Sequence, residues 1–390
     1  MEFGVDRDAL GRELFGILAE LIAIDSTYPP GDTRRIADWA AARLTRAGYA
    51  TETVAAVPDI SNAVARLGSG KPSLVFNVHY DTVGPGNRDA WSSDPFKAEL
   101  RKGRVYGLGA GNCKGPMAAQ IWAAEEVARR GGPARGELVF TFVGDEESLG
   151  ENGLALLRSR GIVKPDMLVV GAQTENQLII AERGVLWTKI RTRGRAAHAG
   201  LAPEGDSAIL RMMRVIAAIE RDLAPKIAQR RSGTLQAMIS IGRIRGGSNT
   251  NVVPDLCEIE IDRRLVPEET VEGALAELER AALAAGEPPG TVEVERITGT
   301  RGFRGSENGP CVCAFGEAIA DRTGKPAKFL DVVGVFDGRW FAGDGIEILD
   351  FGPGEGAEGH KPDESVPLDQ LVDAALIQVN AIGALLGLRR

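Results

Sequence analysis

The chain has 390 residues, 44% of them hydrophobic, and sets 46 Lys and Arg against 54 Asp and Glu for a formal net charge of -8. That is enough apolar content and length for a large core and for two domains, and with no stripe of basic residues it gives no electrostatic footprint for nucleic acid or an anionic membrane. No apolar run reaches the roughly 20 uninterrupted residues of a membrane span, and the opening MEFGVDRDALGREL carries charges where a signal peptide has its apolar segment, so the cytoplasm is the expected compartment.

Leu10, Leu14, Ile17, Leu18 and Leu21 recur at helical spacing and predict an opening helix. Turn residues follow at Tyr28-Pro29-Pro30-Gly31-Asp32, then a second amphipathic helix is expected from Thr33 to Ala47. Apolar, β-rich runs then alternate with helical stretches: Leu74 to Val78, a helix after Gly115, Leu138 to Val143, and Met167 to Val170, each strand bounded by Gly, Pro or Asp. This rhythm predicts an α/β fold whose mixed sheet is flanked by helices on both faces.

The texture changes after Arg183. A strand (Val185 to Thr192), a helix (Ser207 to Leu223), two strands (Leu235 to Arg245, Cys257 to Leu265), a helix (Val271 to Ala285) and a strand (Thr291 to Arg296) are expected in turn. That is β-α-β-β-α-β, the order of a ferredoxin-like α+β sandwich, here inserted into the larger domain. The expected division is therefore 1–183 with 298–390 as a discontinuous catalytic α/β domain, and 184–297 as the insert. The α/β pattern resumes with a helix from Cys311 to Thr323, a strand from Ile346 to Phe351, and a closing helix carrying Leu368, Leu371, Val372, Leu376, Val379, Ile382 and Leu386. Cys113, Cys257, Cys311 and Cys313 form neither a disulfide framework nor a Cys-x-x-Cys knuckle, in keeping with a reducing compartment.

Three short phrases carry chemistry. His79 ends an apolar strand with Asp81 two residues on, so both can face one side of the sheet edge, where ligands collect in open α/β folds. A metal-bound imidazole needs its second nitrogen held, and the Asp81 carboxylate can do that; a structural His beside a turn Asp fits the spacing equally well. Asp145-Glu146-Glu147 crowds three acidic groups at the end of a buried strand, which favours a site over a solvated turn. His360 follows the glycine-rich turn Gly352-Pro353-Gly354-Glu355-Gly356 and says little alone. The phrase Gly107-Leu108-Gly109-Ala110-Gly111-Asn112-Cys113-Lys114-Gly115 lacks the Gly-Lys-Ser/Thr ending of a phosphate loop, and no acidic residue stands at the ribose position, so it is not read as a nucleotide cradle.

Together these phrases resemble the co-catalytic zinc aminoacylases and exopeptidases that include acetylornithine deacetylase, succinyl-diaminopimelate desuccinylase and the glutamate-releasing carboxypeptidases. The resemblance runs from Pro29-Pro30-Gly31 through His79-Tyr80-Asp81-Thr82, Gly115-Pro116-Met117, Glu146-Glu147, Arg193-Gly194-Arg195-Ala196-Ala197-His198, Asn251-Val252-Val253-Pro254 and Gly352-Pro353-Gly354 to His360. It implies a catalytic α/β domain with a ferredoxin-like lid that dimerises, a small amide substrate with a free carboxylate, and two zinc ions sharing a bridging Asp. The first ion is also held by His79 and a distal carboxylate, the second by Glu147 and His360. Glu146 matches the general base, His198 a histidine that reaches the oxyanion across the dimer, Asn251 and Arg264 groups on the substrate carboxylate, and Gly352 a substrate-facing turn.

This chain departs from the pattern twice. Asn112 stands where the bridging Asp belongs, and Ala172, in Val169-Val170-Gly171-Ala172-Gln173-Thr174, stands where the distal carboxylate belongs. Two divalent ions about 3.5–4 Å apart repel strongly, and a neutral amide offsets none of that repulsion. The leading expectation for the metal centre is thus one zinc on Glu147, His360 and Asn112, with His79 left at the other position, and with an unusual pair of ions or no metal as the alternatives; catalytic zinc needs only three protein ligands. Glu151 or Glu175 could replace a lost carboxylate, and Cys113 could act as a soft ligand. The leading expectation is an amide hydrolase acting on an N-acyl amino acid or small peptide-like substrate. A metal-independent acid–base enzyme using His79, Asp81 and Glu146 is the second, and a binding protein that keeps the pocket is the third.

Overall fold

The computed structural model describes residues 6–332 and 334–389. Contacts divide the chain into two units: Met1–Ile180, Gly305–Leu330 and Phe336–Arg390 form the first, and Ala181–Arg304 with Asp331–Val335 the second. In chain order the first unit supplies α1 (Arg7–Ile22), α2 (Arg34–Arg46), β1 (Ala50–Val57), β2 (Ile60–Gly68), β3 (Ser73–His79), α3 (Lys114–Arg129), β4 (Glu137–Val143), β5 (Met167–Gly171) and the start of β6 (Leu178–Glu182), whose last two residues fall in the second unit. The second supplies β7 (Gly184–Arg193), α4 (Ala208–Ala218), β8 (Met238–Gly246), β9 (Leu256–Leu265), α5 (Val271–Leu283) and β10 (Val292–Thr300). The chain then returns to the first unit with α6 (Pro310–Thr323), β11 (Glu347–Phe351) and α7 (Leu368–Leu386).

The sheet of the first unit runs β6-β11-β5-β3-β4-β2-β1. Its centre is parallel, with β11 beside β5, β5 beside β3 and β3 beside β4, while β2, β1 and β6 join antiparallel. All seven residues of β3 are buried, as expected of a strand with parallel neighbours on both sides and helices over both faces. Phe76 on β3 stacks on its register partner Phe140 of β4 with ring centroids 5.1 Å apart. Outside the sheet, α1 starts at Asp6, whose carboxylate accepts the Asp8 and Ala9 N–H groups, and buries the stripe Leu10, Leu14, Ile17, Leu18 and Leu21.

This topology sets the site. The parallel strands β3, β4, β5 and β11 all end at one edge, in His79, Val143, Gly171 and Phe351, with His79 in register with Val143 and Phe351 with Gly171. Loops leaving that edge carry Asp81, the Asp145–Glu147 run, Ala172 and Gly352 together, as in other open α/β sheets. The closing helix α7 is long and apolar enough on average to cross a membrane, although Asp369, Gln370, Asp373, Gln378 and Asn380 interrupt its apolar run; it is mostly buried inside the unit, against α3 and α6, so it is a core helix.

The second unit is the β-α-β-β-α-β sandwich expected from the sequence. Its antiparallel sheet has the order β8-β9-β7-β10, and α4 and α5 cover one face over Leu186, Ile190, Met212, Val215, Ile259, Ile261 and Leu278. The first helix stops earlier than its apolar pattern suggests. After Ala218 it loosens into a wider turn at Ile219–Leu223 and restarts at Ala224, where Pro225 has no N–H to give to a continuous ladder.

Candidate active site

His79 closes β3 with its ring 3% exposed at residue level. Its Nδ1 lies 2.9 Å from the main-chain oxygen of Asp81, whereas the Asp81 carboxylate oxygen Oδ1 is 3.5 Å away. The expectation that the Asp81 carboxylate orients His79 is therefore corrected: the main-chain carbonyl does so, because the carboxylate is turned to the loop after β4, where Oδ2 accepts the Glu147 N–H at 3.0 Å. Asp81 thus ties the two strand-end loops together. The far ring nitrogen, Nε2, is buried without a hydrogen-bond partner, as is Asp81 Oδ1. The Cys113 thiol lies against the same ring.

The three acids after β4 have separate jobs. Asp145 takes φ 68°, a conformation uncommon for a residue with a side chain, and is held there by its own loop: Oδ2 accepts from the N–H and Nδ2 of Asn152, and Oδ1 from Ser148 Oγ. It is structural. Glu146 is 8% exposed and points inward, with Oε2 3.9 Å from His79 Nε2 and Oε1 receiving a hydrogen bond from Arg339 Nη1 at 3.2 Å. Burial lifts its carboxyl to about 7, against the opposing pull of His79 and Arg339. Burial disfavours the charged form of His79, but Cys113 and Glu146 outweigh it and hold the imidazole well above its ordinary value.

Glu147 faces a different group. Its Oε1 accepts from Asn112 Nδ2 at 2.6 Å and lies 2.9 Å from His360 Nε2, which is itself 2.7 Å from Asn112 Nδ2. These three contacts cannot all be hydrogen bonds, since His360 Nε2 either accepts from the amide or donates to the carboxylate. The Asn112 oxygen instead accepts from Cys113 Sγ at 2.9 Å. Asn112 is positioned by Glu364, whose buried carboxylate accepts the main-chain N–H groups of Gly109, Gly111 and Asn112 at 2.9, 2.9 and 2.7 Å. Glu364 lies four residues after His360, so one short segment fixes both partners of Glu147.

Among the described residues, one set of three His, Cys, Asp or Glu side chains brings its ligand atoms within 4.8 Å of one another: His79, Glu146 and Glu147. Glu151 and Glu175 are exposed and outside it, and Cys113 does not join it. Ala172 is fully buried, and its methyl group is no metal donor. Gly352 is needed for packing, since a Cβ there would sit 2.4 Å from the Ala172 oxygen. Its N–H donates to Thr174 Oγ1 and its carbonyl accepts the Thr174 and Asn176 N–H groups, so Gly352 holds the turn at this edge in place. His198, Asn251 and Arg264 belong to the second unit. There the Ala199 N–H, next to His198, bonds the Asn251 carbonyl, and Arg264 is engaged by Asp262 through two hydrogen bonds of 2.8 and 2.9 Å.

Arg339 and Asp337 also stand at this edge, without a signal in the sequence to mark them. They sit on a short 3-10 turn, Asp337–Phe341, whose five residues are too few to show a strand or helix period. In the sequence they are only a charged pair, Asp337-Gly338-Arg339, inside a segment too short to place.

The sequence profile of peptidase family M20/M25/M40 matches residues 75–384. The chain belongs to that family. It is 30% identical over 372 residues to a succinyl-diaminopimelate desuccinylase of Bordetella petrii, covering 92% of this chain and 94% of that protein. It is 31% identical over 310 residues to an N-acetyl-L-citrulline deacetylase of Xanthomonas campestris pv. campestris, covering 77% and 79%. In fold it is similar to an M20 metallo-carboxypeptidase of Sulfolobus solfataricus, with a TM-score of 0.80, 16% identity, and coverage of 96% and 99%. The M20 chain is thus a member of an amide-hydrolase family, and its residues can be tested against the family's metal. Glu147 and His360 are strong zinc donors, the crowded contact with Asn112 has no closed hydrogen-bond scheme, and the Asn112 amide turned end for end would offer a third donor in its oxygen. The donor set fits a zinc ion.

Proposed function

We propose that this M20 chain hydrolyses the amide bond of an N-acyl amino acid or small peptide-like substrate with a single zinc ion held by Glu147, His360 and the Asn112 oxygen. The observation that carries the reading is the meeting of Asn112, Glu147 and His360 within 2.6–2.9 Å beside the inward-facing Glu146. A zinc ion there supplies Lewis acidity toward the substrate carbonyl and toward water.

The remaining work falls to the protein's own groups. Glu146, buried and with its carboxyl lifted to about 7, takes a proton from the attacking water and delivers it to the departing amine nitrogen. Asp81 keeps the Glu147 main chain in place, and Glu364 keeps the Asn112 loop in place. Arg264, Asn251 and His198 keep the substrate-binding roles that the resemblance implies, Arg264 toward the carboxylate and His198 toward the oxyanion. A cytoplasmic homodimer belongs to the same reading.

The test is a panel of N-succinyl, N-acetyl and dipeptide substrates offered to the zinc-loaded protein, with release of the free amine as readout. The reading expects hydrolysis of at least one N-acyl amino acid, lost on chelation. The buried, unpartnered His79 Nε2 only 3.9 Å from Glu146 Oε2 supports one alternative, acid–base catalysis without metal. Hydrolysis that survives complete zinc removal selects it, and ligand binding with no product from the whole panel leaves a binding protein.

A further inference from the structure

Arg339 is the least expected group near the catalytic edge. Its side chain is 1% exposed, and a guanidinium does not lose its proton in a protein, so a full positive charge is fixed in the interior beside Glu146. Its guanidinium carbon lies 4.9 Å from the centre of the Trp340 ring, and its hydrogen bonding is one-sided. Nη1 donates to Glu146 Oε1, while Nη2 is buried with no hydrogen bond, and Asp337 Oδ1 stands 3.7 Å from it. Asp337 is turned away to Asn77, whose Nδ2 donates to Asp337 Oδ2 at 3.1 Å. On the other oxygen of Glu146 lies His79 Nε2, equally buried and equally without a hydrogen-bond partner. Two orphaned nitrogens therefore flank the one acid that faces inward, and burying such groups is costly unless a ligand completes them.

The charge balance of the same spot points the same way. The two carboxylates that would hold a metal ion with His79 are replaced by Asn112 and by the fully buried Ala172, so that position has lost two negative charges. A fixed guanidinium adjoins it, and two cations at such a position repel one another.

We propose that Arg339 is a catalytic residue, whose free Nη2 holds the substrate's carbonyl oxygen beside Glu146 at the position where the family's first metal ion would act. The carbonyl oxygen gains negative charge as water adds to the carbon, and the guanidinium stabilises that charge through an N–H that is already oriented and already desolvated. The proton from the water goes to Glu146, whose Oε1 the same guanidinium steadies. This rests on the reading of the chain as an amide hydrolase.

The test uses inorganic phosphate as a tetrahedral oxyanion probe in calorimetry on the zinc-free full chain, beside steady-state kinetics on the zinc-loaded protein. Wild type is expected to bind phosphate without zinc. Arg339→Met should weaken that binding at least about tenfold and lower kcat about 10²–10³-fold with little change in KM or zinc content, while Arg339→Lys recovers part of both. Should Arg339→Met not fold, the double variant Asp337→Asn with Arg339→Met leaves no unpaired buried aspartate and carries the same expectation. Phosphate binding absent from wild type, or equal in wild type and the Met variants, overturns the proposal. If no amide is hydrolysed by any form, the functional reading fails, and phosphate binding still decides for or against Arg339.

Discussion

Asn112 Nδ2 lies 2.6 Å from Glu147 Oε1, so the residue proposed to stand at the family's bridging-carboxylate position is hydrogen-bonded to a proposed metal ligand. An aspartate could not donate there. On the proposed reading the amide neutralises no ionic charge, and with Ala172 it leaves the neighbourhood of His79 two carboxylates short while keeping Glu147 and His360 as ligands. Restoring both carboxylates should therefore restore the second ion. Wild type is expected to retain one zinc per chain after dialysis, and the double variant Asn112→Asp, Ala172→Glu is expected to retain two, measured by metal analysis against protein concentration. The single Ala172→Glu variant buries a carboxylate and should be less stable without zinc.

Glu146→Gln removes the proposed base and keeps the shape of the side chain. Hydrolysis should fall by about 10²–10⁴-fold, the range for a positioned general base, with zinc content unchanged. A variant that turns over within a few-fold of wild type would assign the proton transfer to another group.

The same carboxyl makes a prediction for the zinc-free protein. Burial raises Glu146 from 4.5 to about 7, so the folded state prefers the protonated acid. Its contribution to stability is complete below pH 4.5 and is lost as pH rises through about 7. Thermal unfolding of chelator-treated protein should show a Tm that declines over that window, with a flatter profile in Glu146→Gln. Parallel profiles would remove Glu146 as the source.

Glu364→Gln tests how the site is held. Its carboxylate accepts three main-chain N–H groups of the Asn112 loop, and a neutral amide can accept them less well. Zinc affinity should drop about 10–100-fold, as for loss of a group that orients ligands, while circular dichroism stays that of the folded chain. Unchanged affinity would mean that the loop is held by its glycines alone.

The sequence made the architecture readable because its signals are periodic. The apolar run ending at His79 and the one ending before Asp145 could only be buried strands, and the β-α-β-β-α-β order of the insert followed from alternating periods. Contacts between side chains were less accessible. The spacing of His79 and Asp81 suggested a carboxylate–imidazole pair, yet a rotation of one side chain gives that contact to the main-chain carbonyl instead. The acidic run at Asp145 looked uniform, and only the loop's turn at φ 68° separates the structural acid from the two that face the site. Arg339 was invisible for a different reason: its partner Glu146 is 193 residues away, and no local pattern records such a pair.

Zinc titration of the metal-free protein tests the central claim most directly. Hydrolysis of an N-acyl amino acid should be absent without zinc, rise linearly, and stop rising at one equivalent per chain, a second equivalent adding nothing. Activity in the metal-free protein, or a rise that continues to two equivalents, would contradict a single-zinc amide hydrolase.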